Sequence, residues 1–260
     1  MQEQVPRTKG IQSIEIGAGL LAAVVDAAAP LRLKDLAERS GLSPSKARMY
    51  LVSLVRTGLI EQDARGLYAP GAAALRLGLA ALAQSRVLGS ARELVKAIGE
   101  ETGNPVLLTA WDGNAPVILL SSENPDGLPI GFRTGAQTPL WDTATGIVFL
   151  AFLPRAVAKR MIEAECDGAA RKAVLDSAAK VCAAGVSVFD SVRLSAHASL
   201  DGYAAVAAPI LSADGGLECV VTVLCPKADG AAALEQVARL LAARAGAVSQ
   251  GPVIGRAGPG

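Results

Sequence analysis

Between residues 40 and 44 the chain stops one helix and starts another with almost nothing between them, and this punctuation constrains its fold more than any other stretch. Ser40-Gly41 ends a helix, because glycine accepts the left-handed conformation that a helix C-terminus favours. Ser43 is a good N-cap, and Pro44 occupies the first helical position, where a missing N–H costs nothing. The helix so begun carries Ala47, Leu51, Leu54 and Val55 on one stripe and ends near Gly58. The Gly-containing turn is the expected connector between two such helices.

The flanking segments supply a core. A first helical pattern runs from about Ile14 to Asp26, with Ile16, Leu20, Leu21, Val24 and Val25 on its apolar face, and Pro30 closes the region. A short helix over about Leu33–Arg39 turns Leu33, Leu36 and Ala37 inward. After Gly58, Leu59–Gln62 and Leu67–Ala69 are strand candidates around Asp63-Ala64-Arg65-Gly66, a hairpin turn. Helix, helix, tight turn, helix, hairpin is the order of a winged helix-turn-helix.

Residues 71–103 read as helical, interrupted near Gly89. The first half, Ala72–Ala83, is nearly all Ala and Leu, so it is expected to pack on a partner, the same helix of a second subunit. From Asn104 the pattern changes. Pro105–Trp111 and Val117–Ser121 flank Asp112-Gly113-Asn114 as a hairpin, and Leu128–Arg133 reads as a further strand. Thr143–Leu153 reads as a buried helix, and Ala156–Cys166 and Ala169–Ala184 are helical. Val186–Val192, Tyr203–Leu211 and Glu218–Cys225 are expected strands, and Gly230–Val248 is a closing helix. The expected architecture is α+β. It comprises a winged helix-turn-helix over 10–70, linker helices over 71–103, a sensor domain over 104–249, and a disordered Gly- and Pro-rich tail over 250–260.

No apolar run approaches the ~20 residues that cross a bilayer. The first ten residues are polar and no apolar signal core follows, which argues for a cytoplasmic chain with no membrane partner. The four cysteines show no metal or redox spacing, and Cys219 and Cys225, within one expected strand, read as buried inert thiols. Residues 1–86 carry eleven Lys/Arg against seven Asp/Glu, a balance of +4, whereas the remainder carries fourteen against seventeen, or −3. A basic head on an acidic body fits a nucleic-acid-binding unit followed by a separate domain.

Three stretches resemble the IclR family of bacterial transcriptional regulators: residues 10–15, 33–42 and 51–60, the last reading Leu51-Val52-Ser53-Leu54-Val55-Arg56-Thr57-Gly58-Leu59-Ile60. Pro139-Leu140, Thr145-Gly146 and Leu150-Ala151-Phe152-Leu153-Pro154 resemble the start of that family's ligand-facing helix. Ala207-Ala208-Pro209-Ile210 and the strand ending at Pro226 also match. The resemblance implies a winged helix-turn-helix with a GAF-like or PAS-like effector-binding domain, assembled as homodimers or dimers of dimers. It implies repression or activation of operons, commonly for catabolism of small organic acids or aromatic compounds, in response to a pathway metabolite. The chain departs from the family in three places. Trp141-Asp142-Thr143 stands where small polar residues and a His or Ser are usual, and Thr222 and Leu224 replace a Ser pair. Asp190 and Asp201 are the nearest counterparts of an acidic residue usually upstream of Ala207.

With its apolar stripe inward, the helix after the turn presents Ser43, Ser45, Lys46, Arg48 and Met49 at its N-terminal end, and Arg65 tops the wing. These are the candidate contacts to double-stranded operator DNA: Arg48 and Lys46 in the major groove, Met49 on a thymine methyl, and Arg65 at the minor groove or a phosphate. Tyr50 either reaches a phosphate or packs, and Arg7 and Lys9 add phosphate contacts. In the sensor domain the effector candidates are Trp141, Thr143, Thr145, Thr222 and Leu224. Asp142 and Thr143 serve equally well as helix caps, and core packing accounts for the others as readily. Trp141 and Leu224 favour an aromatic or short-chain organic ligand. His197 reads as a loop residue. No cofactor, metal or catalytic motif is legible. The competing readings are an effector-independent dimeric regulator and an enzyme fused to a DNA-binding head.

Overall fold

The computed structural model describes residues 10–27, 29–84, 88–122, 132–195 and 198–249. The chain divides into two compact units, residues 1–84 and 85–260.

The first unit contains α1 (Gln12–Val25), α2 (Leu33–Arg39), α3 (Pro44–Arg56), β1 (Ile60–Gln62), β2 (Tyr68–Pro70) and α4 (Ala72–Gln84). Its core is Leu20, Val24, Leu36, Ala37, Ala47, Leu51, Ile60 and Tyr68, drawn from α1, α2 and α3 and from both strands. Gly41 has φ +62, as the tight turn requires. Val25 is exposed, contrary to its expected place on the buried face of α1. It lies one step of about 100° beyond Val24 and so turns off the stripe. The wing pairs antiparallel, with Glu61 opposite Ala69. It begins one residue later than expected because the Leu59 N–H donates to the Leu54 carbonyl and closes α3. Leu31 adds a bridge to Tyr68 on the other side of β2.

The second unit contains α5 (Leu88–Thr102), β3 (Val106–Trp111), β4 (Pro116–Ser122), α6 (Ala144–Phe152), α7 (Arg155–Glu165), α8 (Gly168–Ala184), β5 (Ser187–Phe189), β6 (Val192–Ser195), β7 (Ala198–Leu200), β8 (Tyr203–Leu211), β9 (Leu217–Pro226) and α9 (Gly230–Ser249). Five strands form an antiparallel sheet in the order β4-β3-β9-β8-β5. The period-2 geometry of strands divides β9 between two cores. Cys219, Val221, Val223 and Cys225 join Ile98 of α5 and Leu241 of α9 on one face, whereas Val220 and Leu224 join Ile147 and Val148 of α6 on the other. A strand covered on both faces is a near-continuous apolar run, which is how β8 and β9 read in sequence.

The expected strand Val186–Val192 is two strands. Ser187–Phe189 pairs with β8, and the chain then leaves the sheet at Asp190-Ser191 so that β6 pairs with β7 in a separate hairpin. Phe132 and Arg133, the described end of the expected strand Leu128–Arg133, are not in a strand, and the rest of that segment lies outside the described residues. Helices α4 and α5 are separate elements, with Gly89 the second residue of α5, and residues 85–87 between them are outside the described set. Arg7, Lys9, His197 and the 250–260 tail are also outside it. Among the described residues, no helix is long and apolar enough to cross a membrane.

Candidate functional site

Helix α3 begins as its sequence dictates. The Ser43 hydroxyl accepts a hydrogen bond from the Lys46 N–H at 3.4 Å, and Pro44 stands in the first turn. Ala47 and Leu51 are fully buried, with Leu54 and Val55 half-buried beside them, which fixes the rotation of the helix. Ser43, Ser45, Lys46, Arg48 and Met49 are all exposed. Met49 is 71% exposed and Val52 42%. Positions 45, 48, 49 and 52 follow the i, i+3, i+4, i+7 spacing of one helix face. Val52, not singled out from the sequence, extends that face by a turn. Tyr50 is half-buried and packs on the core of the unit.

Arg65 is exposed on the wing, its Nε 3.0 Å from Asp63 Oδ2. The Leu67 N–H and then the Arg65 groups hold the Asp63 carboxyl below its ordinary pKa. This carboxylate organises the turn, accepting from the Arg65 and Leu67 backbone N–H groups at 2.9 Å each. Gly66, at φ +78, completes it.

In the second unit, a cavity of about 230 Å³ opens between the start of α6 and the sheet. Leu107, Ala205 and Leu224 line its floor, and Thr143, Thr145 and Thr222 contribute hydroxyl-bearing side chains. The Thr145 and Thr222 hydroxyls lie 2.7 Å apart, both residues buried. Replacing Thr222 by valine leaves the Thr145 hydroxyl without this partner, which is expected to cost about 1–3 kcal/mol in urea unfolding. The double Thr145→Val/Thr222→Val variant is expected to recover part of that loss, because no polar group is then stranded. A double variant as unstable as the sum of the two singles would count against the pairing.

The Thr143 hydroxyl is committed to structure. It accepts from the Gly146 N–H and donates to the Pro139 carbonyl, both at 2.9 Å, so it caps α6 while facing the cavity. Trp141 is not among the lining residues. Its indole N–H donates to the Glu165 carboxylate on α7, and its ring packs half-buried against the α6 core. Asp142 has φ +53, the one positive value among described non-glycine residues. That conformation costs an L residue roughly 1–2 kcal/mol, with Asp and Asn penalised least. Its carboxylate lies 3.6 Å from the Arg193 guanidinium on β6.

Arg133, Thr138 and Arg193 also line the cavity, and none of them was foreseen from the sequence. They lie on the loop before α6 and on the extra hairpin, and no hydrophobic period assigns either segment to a face. Burial pushes the Cys219 thiol up to about 12 and the Cys225 thiol to about 11, so both stay protonated at neutral pH and are poor nucleophiles. Among the described residues, no three His, Cys, Asp or Glu side chains converge as a metal site requires.

Comparison with known proteins follows the same division. Residues 13–64 match the IclR helix-turn-helix domain, and residues 79–250 match the C-terminal domain of bacterial transcriptional regulator IclR. The glycerol operon regulatory protein of Streptomyces coelicolor is 30% identical over 208 residues, which span 78% of this chain and 80% of that one. The crystal structure of HmgR from Pseudomonas aeruginosa, at 28% identity, covers 92% of this chain and 97% of its own with a TM-score of 0.56. An IclR homologue from Microbacterium hydrocarbonoxydans, crystallised with 4-hydroxybenzoate, shares the fold at 16% identity. Its TM-score is 0.71, over 92% of this chain and 98% of that one. On these matches, and with a helix-turn-helix unit followed by an α+β unit built on a five-stranded sheet, the chain belongs to the IclR family of transcriptional regulators, with a DNA-binding N-terminal domain and an effector-binding C-terminal domain.

Proposed function

We propose that α3 enters the major groove of operator DNA, with Lys46 and Arg48 on base edges or phosphates, Met49 on an apolar base edge, and Ser43 and Ser45 near the backbone. Arg65 approaches the minor groove or a phosphate after exchanging Asp63 for it. The observation that carries this reading is the exposed face of α3, which holds two cations and a 71% exposed methionine while Ala47 and Leu51 anchor the opposite side. An exposed methionine gains nothing in water, whereas it gains apolar contact against a thymine methyl.

The cavity beneath α6 is the effector site in this reading, and the effector is a small organic acid or aromatic compound. The apolar floor and the Thr145–Thr222 pair support this, as does the aromatic acid bound by the Microbacterium homologue. The protein works in the cytoplasm as a homo-oligomer, a dimer or a dimer of dimers. Leu75, Leu79 and Leu82 of α4 are exposed on one face of that helix, and a second copy of the helix would cover them. No catalytic step is assigned to the chain.

The test is fluorescence anisotropy of the purified protein on fragments of its own promoter, with light scattering on the same sample. The expected result is a mass of at least two chains and an affinity that falls steeply between low and physiological salt as counterions are released. Indifference to promoter fragments even at low ionic strength would overturn the DNA reading, and a monomeric mass would overturn the assembly.

A further inference from the structure

We infer that the Asp142–Arg193 ion pair is an exchangeable latch at the effector cavity, and that the effector carries a carboxylate which takes Arg193 away from Asp142. This rests on the reading of the cavity as the effector site.

Arg193 lines the cavity, and none of its described lining residues is acidic. A chamber so lined favours an anion. Arg193 is already engaged, but by a residue outside that lining. Asp142 lies 3.6 Å away, and both side chains are substantially exposed, at 43% and 73%. A pair that long and that wet is weak and easily replaced. A ligand carboxylate offers the guanidinium a planar, two-pronged partner in a less solvated place.

The Thr138 hydroxyl is a separate pointer to a ligand. It lines the same cavity, and its oxygen is buried with no hydrogen-bond partner among the described residues. A stranded hydroxyl is unfavourable unless something supplies a partner, and a ligand carboxylate within the cavity supplies acceptor oxygens. The apolar floor of Leu107, Ala205 and Leu224 then takes the ligand's body, and a volume of about 230 Å³ limits it to a compact one.

The exchange has a mechanical side. Asp142 immediately precedes Thr143, the cap of α6, and it is held at φ +53. Arg193 belongs to β6, in the hairpin that stands apart from the main sheet. The ion pair therefore ties the start of α6 to that hairpin, and a carboxylate that captures Arg193 unties them. Asp142 is a built-in competitor that sets the ligand concentration at which release occurs. A ligand shifts such an equilibrium only by its differential affinity for the two states, and here the difference is the anion held by Arg193.

The test uses the full chain with matched acids and amides: benzoate and benzamide, phenylacetate and phenylacetamide, butyrate and butyramide. Thermal shift and calorimetric titration at neutral pH read the affinities. At least one acid is expected to bind about tenfold or more tighter than its amide. Arg193→Gln should abolish that preference, with Arg193→Lys intermediate. Asp142→Asn removes the competing charge but keeps a residue that tolerates positive φ. It should tighten acid binding about two- to fivefold and leave amide binding unchanged. The latch is overturned if no acid binds, if amides bind as well as acids, or if Asp142→Asn leaves acid affinity unaltered. Ala205→Trp, which fills the floor, separates the two readings. Amides that bind without acid preference and are lost on filling leave the effector site standing and remove the latch. Binding that survives filling removes both.

Discussion

Gly146→Ala is expected to destabilise the C-terminal unit by at least about 3 kcal/mol, at the upper end of the penalty for overpacking. Thermal melting should then fall by roughly 6–12 °C for a unit of this size. A methyl group at this position would lie 1.8 Å from the Leu140 carbonyl oxygen and 2.8 Å from the Thr143 hydroxyl. The first obstacle is backbone and cannot rotate aside. Helix propensity pulls the other way, since alanine is favoured over glycine by about 1 kcal/mol within a helix. That gain is too small to offset an approach more than 1 Å inside van der Waals distance. Gly246→Ala in α9 is the control. Nothing lies within 4 Å of its added carbon, so only the propensity gain remains. A Gly146→Ala protein as stable as the parent would show that residues 139–146 do not fold over the start of α6 as described, and the cavity geometry would go with them.

Arg48→Glu is expected to weaken operator binding about 100-fold or more while leaving the melting temperature unchanged. A bidentate arginine–guanine contact is worth about 1–3 kcal/mol, and a carboxylate facing the polyanion adds repulsion to that loss. Arg48 is exposed on α3, so the folded state loses little by its replacement. Arg65→Ala should behave differently. In the phosphate-contact reading of Arg65, its removal weakens all sequences alike and lowers the salt slope by about one. Undiminished operator affinity in the Arg48→Glu protein would place the groove contact elsewhere.

The DNA-binding unit was more legible in the sequence than the cavity, for a physical reason. Its structure is set by local signals: the Ser43 cap, Pro44 in the first turn, Gly41 and Gly66 at positive φ, and a 3.6-residue stripe through Ala47 and Leu51. The end of α2 and the start of α3 follow from those signals alone. In the second unit, Thr145 and Thr222 are 77 positions apart, and only the alternation of β9 and the rotation of α6 bring their hydroxyls together. Thr143 could be read either as a cap or as a cavity residue, and it is both. The direction of Trp141 was not legible, because Glu165, 24 residues on, captures its indole N–H. Arg193 was missed for a similar reason. The run Val186–Val192 looks like one continuous strand, and nothing local marks the departure at Asp190 that carries Arg193 to the cavity rim.

The strict in-and-out alternation along β9 has an evolutionary consequence. Because Thr222 and Leu224 face the cavity while Val221, Val223 and Cys225 secure the opposite layer, changing every other letter of a single strand would reshape the proposed effector site. The intervening letters, left alone, keep the scaffold intact through the change.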